Sequence, residues 1–339
     1  MGDKKTILVT GGAGYIGSHT CLELLQADNN VVVVDNLRNS NQESLRRVEK
    51  LAGRSLIFYQ DDIRDSQALV KVFTDQSIDS VIHFAGLKAV GESTEIPLDY
   101  YSTNVYGTVV LCEAMAEFGV KDLVFSSSST VYGESDVMPL KEDFPVGAAN
   151  PYGRSKMMVE QVLRDLRASD PSWNIALLRY FNPVGAHKSG EIGEDPRGTP
   201  NNLVPYITQV AVGKLEKLQV FGDDYDTHDG TGVRDYIHVV DLAQGHLSAL
   251  HKLAQNPGCV TYNLGTGKGY SVLDVLKAFT SVCGMDIPYE IVARRPGDVT
   301  RCYADASLAK SELQWETGLG LLDMVTDSWN WQKKNPNGY

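Results

Sequence analysis

The stretch Thr6-Ile-Leu-Val-Thr-Gly-Gly-Ala-Gly-Tyr-Ile-Gly17 decides the fold of this chain. Its apolar part, Ile7 to Val9, is short and β-prone, which is typical of a strand buried inside a parallel sheet. The glycines that follow fit both G-x-G-x-x-G and G-x-x-G-x-x-G, so the backbone can turn tightly and come close to a diphosphate. Residues 18–26 are predicted to form a helix whose first amide groups face the phosphates. The stretch therefore predicts a dinucleotide-binding strand, loop and helix.

An acid follows this loop at the distance that dinucleotide binding requires. The apolar run Val31 to Val34 ends in Asp35, about twenty residues beyond the glycines, where a carboxylate can accept the ribose hydroxyls. A carboxylate there also repels a 2′-phosphate, so NAD is favoured over NADP. Arg38 lies close enough in sequence to leave that choice open.

Composition excludes several functions. The 339 residues suffice for two domains, or for one large domain with a lobe. A net charge of −12 argues against binding nucleic acid or a membrane surface, since both need basic patches. The five cysteines are odd in number and form no C-x-x-C, which argues against a disulfide framework. No apolar run is long enough for a membrane span. We expect a cytoplasmic protein.

Strand and helix patterns alternate through the first half, which predicts a Rossmann-type α/β fold with a doubly wound parallel sheet. Polar or small residues follow the ends of four predicted strands: Asp35, Asp62, Ala85-Gly86, and the run 126–130 of four serines and a threonine. In such sheets, ligands bind just beyond the carboxyl ends of the strands. We therefore expect these positions to share one site.

The composition and periodicity of the sequence change near Pro183. Residues 185–202 are rich in glycine, proline and charge and are predicted to be a long loop or lid. Helices are expected near 203–212, 241–252, 271–281 and 321–335, with brief strands between them. The sequence thus predicts an NAD-binding domain over residues 1–182 and a smaller α/β substrate-binding lobe over 183–339.

Tyr152 and Lys156 are four residues apart in a predicted helix that begins with Asn150 and Pro151, so they share one face. A phenol with a pKa near 10 is a poor base at neutral pH. An ammonium at about 4 Å stabilises the phenolate by about 1 kcal/mol in water and by about 4 at an effective dielectric of 20. We therefore expect Lys156 to bring the pKa of Tyr152 towards neutrality if the site is shielded. A serine hydroxyl can then hold or relay the proton.

The chain resembles the extended short-chain dehydrogenase/reductases nearly end to end, and among them the UDP-galactose 4-epimerases. Two of the matching motifs, 10–19 and 151–156, are shared across that superfamily, whereas those around 84–93 and 180–186 are more particular to the epimerases. The resemblance rests on residues 10–19, 83–93, 126–133, 151–156, 178–186 and 232–239.

The resemblance implies a reversible 4-epimerisation of UDP-galactose and UDP-glucose through a 4-keto sugar. Tyr152, assisted by Ser128 and Lys156, would take the proton of the sugar 4-hydroxyl while hydride passes to tightly bound NAD and later returns to the other face of the sugar. Relatives also suggest a homodimer formed through helices near 97–117 and 152–168.

The resemblance further implies two sets of binding residues. The residues expected at the cofactor are Gly11, Gly14, Tyr15, Ile16, Gly17, Asp35, Asn36, Asp62, Ile63, Phe84, Ala85, Gly86, Lys88, Tyr152, Lys156 and Tyr180. Those expected at the UDP-hexose are Lys88, Ser128, Tyr152, Phe181, Asn182, Asn202, Leu203, Phe221, Arg234, Arg295, Asp298 and Cys302. Arg234 and Arg295 are the local cations that an acidic protein needs to bind a diphosphate.

Cys302 stands where the family carries either a bulky tyrosine or a small residue on the wall of the sugar pocket. A small residue there is associated with room for an N-acetyl group. We therefore hypothesise that UDP-GalNAc and UDP-GlcNAc are substrates too. The alternative is that Cys302 is an inert buried thiol with no effect on substrate choice.

Other functions remain open at this stage. A 4,6-dehydratase is disfavoured because such enzymes carry an Asp-Glu pair where this chain has Ser129 and Thr130. A uronate epimerase or a decarboxylase would also keep the tyrosine and lysine. A nucleotide-sensing protein without catalysis is disfavoured, because such proteins commonly lose that pair. The histidines show no ligand spacing, so no metal is expected.

Overall fold

The strands of the protein form one large sheet and two small ones. The computed structural model describes residues 4–295 and 298–339. All neighbouring strands of the large sheet are parallel. In spatial order, this sheet contains β3 (Ile57–Tyr59), β2 (Asn30–Val34), β1 (Thr6–Thr10), β4 (Ser80–His83), β5 (Asp122–Ser128), β6 (Asn174–Tyr180) and β10 (Cys259–Leu264).

The order of the first six strands is that of the dinucleotide-binding fold, in which the chain reverses its direction of travel between β1 and β4. The central strands are apolar on both faces because helices cover both. In β2, for example, Val31 and Val33 pack on one side and Val32 and Val34 on the other. The predicted Rossmann-type fold is confirmed.

Two groups of helices bury the faces of this sheet. One face is covered by α1 (Tyr15–Gln26), α2 (Glu43–Ala52), α9 (Val239–Leu253) and α11 (Ser307–Leu313). The other is covered by α3 (Ser66–Asp75), α6 (Gly107–Glu117) and α7 (Pro151–Ser169).

The helix predicted over residues 97–117 is not regular. Two short helices, α4 (Val90–Glu95) and α5 (Pro97–Tyr100), lead into a π-helical segment, Tyr101–Tyr106, before α6 begins. Asn104 lies in the wide turn, buried, and its amide bonds to both backbone groups of Leu87 and to the Ser155 hydroxyl. The widened turn thus carries a polar side chain that ties the end of β4 to α7, a role that helical periodicity does not reveal.

The second half of the chain forms a smaller layer above the carboxyl ends of the sheet strands. Residues 185–202 contain no helix or strand, as predicted. The strands there are β7 (Asn182–Val184), β8 (Leu218–Phe221), β9 (Val233–His238), β11 (Gly269–Ser271), β12 (Tyr289–Val292) and β13 (Arg301–Cys302). Four of them, β7, β8, β9 and β11, pack with α8 (Leu203–Ala211), α10 (Val272–Cys283) and α12 (Leu321–Lys334) around a separate apolar cluster.

The chain crosses between the two layers more than once. After β9 it returns to the large sheet, where α9 packs against α1 and β10 pairs with β6. A boundary at residue 182 therefore does not coincide with the edge of the sheet, because residues 239–264 complete it. Among the described residues, no helix is both long and apolar enough to cross a membrane.

Candidate active site

The glycine loop between β1 and α1 forms a tight backbone cradle. Gly11 has a φ of +71° and donates to the Val34 carbonyl at 2.8 Å, which joins the loop to β2. A Cβ on Gly17 would lie only 2.3 Å from the Gly11 oxygen, so this position requires glycine. Within the described chain, no side chain caps α1 at Gly14. The amide groups of Tyr15, Ile16 and Gly17 start this helix, where an anion binds favourably.

Asp35 is buried at the end of β2 and connects it to the loop. Its carboxylate accepts from the backbone amides of Ala13 at 3.0 Å and Leu37 at 2.9 Å, and from the Ser40 hydroxyl at 2.8 Å. Burial raises the pKa of Asp35, and these hydrogen bonds oppose that shift. Arg38, which left the choice of dinucleotide open, pairs with Asp99 at 3.0 Å. The acid predicted for the ribose thus lies beside the glycine loop.

Asp62 and Asn36 lie together at the neighbouring strand end. Asn36 donates to Asp62 at 2.9 Å, and Arg64 forms two further bonds with the same carboxylate. These hydrogen bonds from Arg64 lower the pKa of Asp62 well below its ordinary value. Ile63 is buried and packs against Gly107 of α6, where an added Cβ would lie 2.6 Å from it. These three residues, all expected at the cofactor, therefore lie together at the end of the neighbouring strand.

The segment after β4 closes the cradle on the other side. A Cβ on Gly11 would meet the Ala85 amide nitrogen at 2.7 Å, so the two loops touch. Phe84 packs against the His246 ring, with 4.7 Å between centroids. A Cβ on Gly86 would lie 3.8 Å from Nζ of Lys156. This segment therefore joins the glycine loop to α7, the helix that carries Tyr152 and Lys156.

The three residues expected to be catalytic converge on this edge. Helix α7 begins at Asn150, whose side chain accepts from the Gly153 amide at 2.8 Å, as predicted. Lys156 is buried and donates to the Ser126 carbonyl at 2.7 Å. Burial lowers the pKa of Lys156 to about 8. Ser128 ends β5, and its oxygen accepts from the Thr130 amide and hydroxyl.

Tyr152 differs from the expectation of a near-neutral phenol. Burial raises its pKa, while the Ser128 hydroxyl and the charge of Lys88 act in the opposite direction. Lys156 is not among these causes, because its ammonium is turned to the Ser126 carbonyl. In the protein without a bound ligand, burial raises the pKa of Tyr152 more than Ser128 and Lys88 lower it.

Glu194, which sequence reasoning missed, links two predicted binding residues. Its Oε1 accepts from Nζ of Lys88 and from the Asn202 side chain, both at 3.0 Å. Trp331 of α12 donates to the Glu194 carbonyl at 3.0 Å and holds this part of the loop in place. No sequence pattern singles out Glu194, since its role depends on how the 185–202 loop folds over Lys88.

The wall expected around the sugar contains Phe181 and Cys302, which pack together with Val131 and Tyr132 in one apolar cluster. Cys302 lies beside Arg234 in the register of β13 and β9. Burial raises the pKa of the Cys302 thiol, which keeps it neutral. Asn182 lies at the start of β7, which pairs with β9, and Leu203 is the first residue of α8.

The cations expected at the diphosphate are also brought together. Arg234 lies 3.6 Å and Arg295 3.2 Å from the carboxylate of Asp298. The Arg295 guanidinium also lies over the Phe221 ring, 4.8 Å from its centroid. Arg295 is exposed and Arg234 partly so, which leaves both cations accessible to an anionic ligand.

Tyr180, expected to line the cofactor, is buried and its hydroxyl is engaged by Nε2 of His246. Burial raises its pKa well above the ordinary value, while a hydrogen bond with Ser126 opposes that shift. Its side chain therefore supports the end of β5 beside Lys156.

Among the residues that the structure describes, one group of side chains has the spacing of metal ligands. Single atoms of His228, Asp229 and Asp274 lie within 4.8 Å of one another. Asp229 already accepts from the Ser271 hydroxyl, and Asp274 caps α10. The expectation of no metal remains a prediction.

The fold and the site define the class of protein. Residues 7–265 match the NAD dependent epimerase/dehydratase family, and the chain belongs to it. That match covers the glycine loop, Asp35, the serine strand and the tyrosine–lysine pair.

More particular similarities run over the whole chain. The chain is 61% identical to the UDP-glucose 4-epimerase of Bacillus subtilis over 333 residues, which is 98% of each chain. Its structure is similar to that of UDP-glucose 4-epimerase from Bifidobacterium longum in complex with NAD⁺ and UDP, with a TM-score of 0.96, 55% identity, and 99% and 100% of the two chains covered. It is equally similar to the enzyme from Stenotrophomonas maltophila with bound NAD and formylated UDP-arabinopyranose, with a TM-score of 0.96, 52% identity, and 98% and 99% covered.

Proposed function

We propose that the protein is an isomerase that interconverts UDP-galactose and UDP-glucose at C4, with NAD as its cofactor. The observation that carries the proposal is the convergence of Ser128, Tyr152 and Lys156 on the glycine cradle. Relatives at about 60% identity over nearly their full length carry the same activity in their names.

The residues present fit NAD. The loop at Gly11 to Gly17 leaves uncapped helix amides for the diphosphate, and Asp35 places a carboxylate next to it for a ribose. Asn36, Asp62 and Ile63 would hold the adenine side, and Lys88 would bind nearer the reacting end. When bound, NAD accepts the hydride of the sugar and returns it, so no net oxidation occurs.

Tyr152 is the base that receives the proton of the sugar 4-hydroxyl and later gives it back. A buried phenol needs nearby positive charge for this. Lys88 supplies it in the protein by itself, and the positive nicotinamide ring would add to it when NAD is bound. Lys156 lies one helical turn further on, where its ammonium is held by the Ser126 carbonyl. Ser128 holds the reacting oxygen through its hydroxyl, which its contacts with Thr130 orient. The same residues serve both directions because proton transfer at one oxygen is reversible.

The UDP group is anchored away from the reacting carbon. Arg234 and Arg295 face it with charge that their partner Asp298 only partly neutralises. Asn182, Asn202, Leu203, Phe221 and Phe181 complete the pocket. The nucleotide is anchored, whereas the apolar wall of the sugar pocket makes few specific polar contacts with the sugar. The 4-keto sugar can therefore rotate and present its other face to the cofactor.

The same pocket supports activity on UDP-GlcNAc and UDP-GalNAc. Cys302 is a small side chain on the wall that Phe181 and Tyr132 build. In Cys302→Tyr, the phenol fills this space, so turnover of UDP-GlcNAc is expected to be lost while turnover of UDP-galactose persists. Equal turnover of UDP-GlcNAc in both proteins contradicts this assignment of specificity.

The protein is further proposed to be a homodimer formed by α5, α6 and α7. Helix α5 packs against α7, and the π-helical segment Tyr101–Tyr106 packs against α5, α6 and α7. Apolar side chains are exposed here: Leu98 of α5 is 80%, Tyr106 of the π-helical segment 56% and Met158 of α7 41% exposed. Leu98→Glu is expected to convert the dimer to a monomer in sedimentation equilibrium. Leu322→Glu, at a leucine of α12 that is 61% exposed, is the control and should leave the dimer intact.

Two further proposals concern location and organisation. A cytoplasmic location is supported by the five cysteines, all of which are free. A division of labour, with residues 1–182 binding NAD and 183–339 binding the UDP-sugar, is supported by where the expected ligand groups lie, although β10 belongs to the first layer.

The proposed activity is tested by incubating purified protein with UDP-galactose, without added NAD, and following UDP-glucose. Turnover supports both the reaction and a cofactor retained through purification. Failure to turn over even with added NAD, together with reaction of a UDP-uronate, would move the assignment to a uronate epimerase or decarboxylase. Binding of UDP-sugars without any reaction would indicate a sensing protein.

A further inference from the structure

A buried ion pair lies directly beneath the catalytic residues and outside the roles assigned so far. Glu160 of α7 and Arg179 of β6 are each 3% exposed. The guanidinium meets both carboxylate oxygens, with Nε to Oε1 at 2.9 Å and Nη2 to Oε2 at 2.7 Å. This two-point geometry fixes orientation as well as distance.

The pair reaches a third element through Ser127 of β5. The Ser127 hydroxyl donates to Oε1 of Glu160 at 2.5 Å. Ser127 and Arg179 are also direct neighbours in the parallel register of β5 and β6. One carboxylate therefore joins the helix to both strands at the point where the strands end.

These three elements carry the catalytic groups. Tyr152, Lys156 and Glu160 are spaced by four residues and lie along one face of α7. Ser128 follows Ser127 in β5, and Lys156 already bonds to the carbonyl of Ser126. Any sliding or rotation of α7 against β5 would change the separation of Tyr152 and Ser128, and the Glu160 pair opposes such motion.

Arg179 is itself held from the opposite side. It donates to the Glu142 carbonyl at 3.0 Å, and its guanidinium lies 4.7 Å from the centroid of the Tyr132 ring. The Tyr132 hydroxyl donates to Asn263 of β10 at 2.7 Å. Tyr132 also belongs to the cluster that contains Cys302 and Phe181, so the network extends from α7 to the wall of the expected sugar pocket.

We propose that Glu160, Arg179 and Ser127 are positioning residues that set the catalytic helix against the serine strand for the reaction. The proposal rests on the function proposed above. A buried ion pair is weak evidence of added stability, since apolar replacement of both partners is often neutral. The two-point geometry at the catalytic edge is what favours a positioning role.

The test compares Glu160→Gln, Ser127→Ala and the double variant Glu160→Met/Arg179→Met with the parent holoenzyme. For each protein, kcat per bound NAD and KM for UDP-galactose are measured with the melting temperature. We expect kcat per bound NAD to fall about 10- to 100-fold in Glu160→Gln, the cost of misplacing reacting groups by about 1 Å. KM should stay within about threefold, because the expected UDP anchors Arg234 and Arg295 are held by Asp298 and not by this ion pair.

The double variant separates stability from positioning. Because both charges are removed together, its melting temperature should recover relative to Glu160→Gln, while its kcat per bound NAD stays low. Recovery of kcat together with stability would show a merely structural pair and overturn the proposal. If the double variant does not fold, the proposal is tested by Ser127→Ala and Glu160→Gln alone. A parental kcat per bound NAD in both of these variants would overturn it.

The control is the pair at the other end of the same elements. Lys121 precedes β5, Asp170 follows α7, and they lie 3.1 Å apart. Lys121→Met should leave kcat per bound NAD at the parental value; an equal fall in this variant would overturn the proposal. Turnover by the parent tests the proposed function separately. If the parent reacts only with a different UDP-sugar, the proposed 4-epimerase function fails. The kcat of each variant relative to the parent is then measured with that sugar.

Discussion

Substituting alanine at two glycines of the first loop should separate cofactor binding from folding. A Cβ at Gly14 would meet one atom within 4 Å, the Gly11 oxygen at 3.3 Å, and its backbone, with φ −74° and ψ 177°, is open to any residue. A Cβ at Gly17 would lie 2.3 Å from the Gly11 oxygen and 2.8 Å from Cα of Gly12. Gly14→Ala therefore adds a methyl group that projects from the glycine loop, whereas Gly17→Ala forces the backbone at Gly11 and Gly12 away from α1.

The expected magnitudes follow from these contacts. In Gly14→Ala, the loss of glycine at the N-cap of α1 lowers the free energy of unfolding by about 1 kcal/mol. Alanine also reduces the conformational entropy of the unfolded chain, which offsets about half of this loss. The melting temperature of the stripped protein should therefore fall by no more than about 3 °C. If the methyl keeps the diphosphate from the helix amides, the lost charge-assisted bonds weaken NAD binding about 100-fold.

In Gly17→Ala, two rigid backbone segments must separate. Overpacking of this kind costs about 3 kcal/mol, and the melting temperature should fall by about 4 °C. NAD should be lost as well, since the cradle itself is distorted.

The assay measures NAD released from purified, denatured protein and the melting temperature after NAD has been stripped from every sample. Gly91→Ala is the matched control, because an added Cβ there meets nothing within 4 Å. Parental NAD content in Gly14→Ala would refute the close approach of the diphosphate at this residue. Parental stability in Gly17→Ala would refute the role of the backbone contact.

Three further substitutions test the charges of the site. Burial lowers the pKa of Lys156 from 10.5 to about 8. Between those values the unfolded chain holds the proton and the folded chain does not, so this one group contributes about 3 kcal/mol more stability as the pH rises. The buried tyrosines and thiols titrate in the same window in both proteins, so urea unfolding should show the parent gaining stability relative to Lys156→Met. Lys88→Met should lower NAD retention with little change in melting temperature, because a half-exposed ion pair contributes at most about 1 kcal/mol; unchanged NAD content contradicts it. Arg234→Met should raise KM for UDP-galactose about 10- to 100-fold and change kcat less, and a fall in kcat alone would argue against a UDP anchor.

Much of the cofactor side could be predicted because its determinants are local. The β1–loop–α1 unit, the acid at Asp35 and the spacing of Tyr152 and Lys156 each follow from a short stretch with its own geometry. The strand ends at Asp62, Gly86 and Ser128 could be grouped because parallel strands end at one edge of a sheet.

The less predictable features depend on contacts between distant segments. Glu194 acquires a role only when the 185–202 loop meets Lys88. The π-helical turn at Asn104 depends on the Leu87 backbone, in the segment after β4, and on Ser155 of α7, and neither partner is part of its own periodicity.

The sequence by itself determined the doubly wound sheet and the candidate base, because apolar period, glycine spacing and i,i+4 spacing act over a few residues. Tertiary structure decided which charges face one another. It turned Lys156 to the Ser126 carbonyl and Lys88 to Glu194, and it buried Glu160 against Arg179. Electrostatic energy depends on distance and burial in three dimensions, and a linear pattern specifies neither.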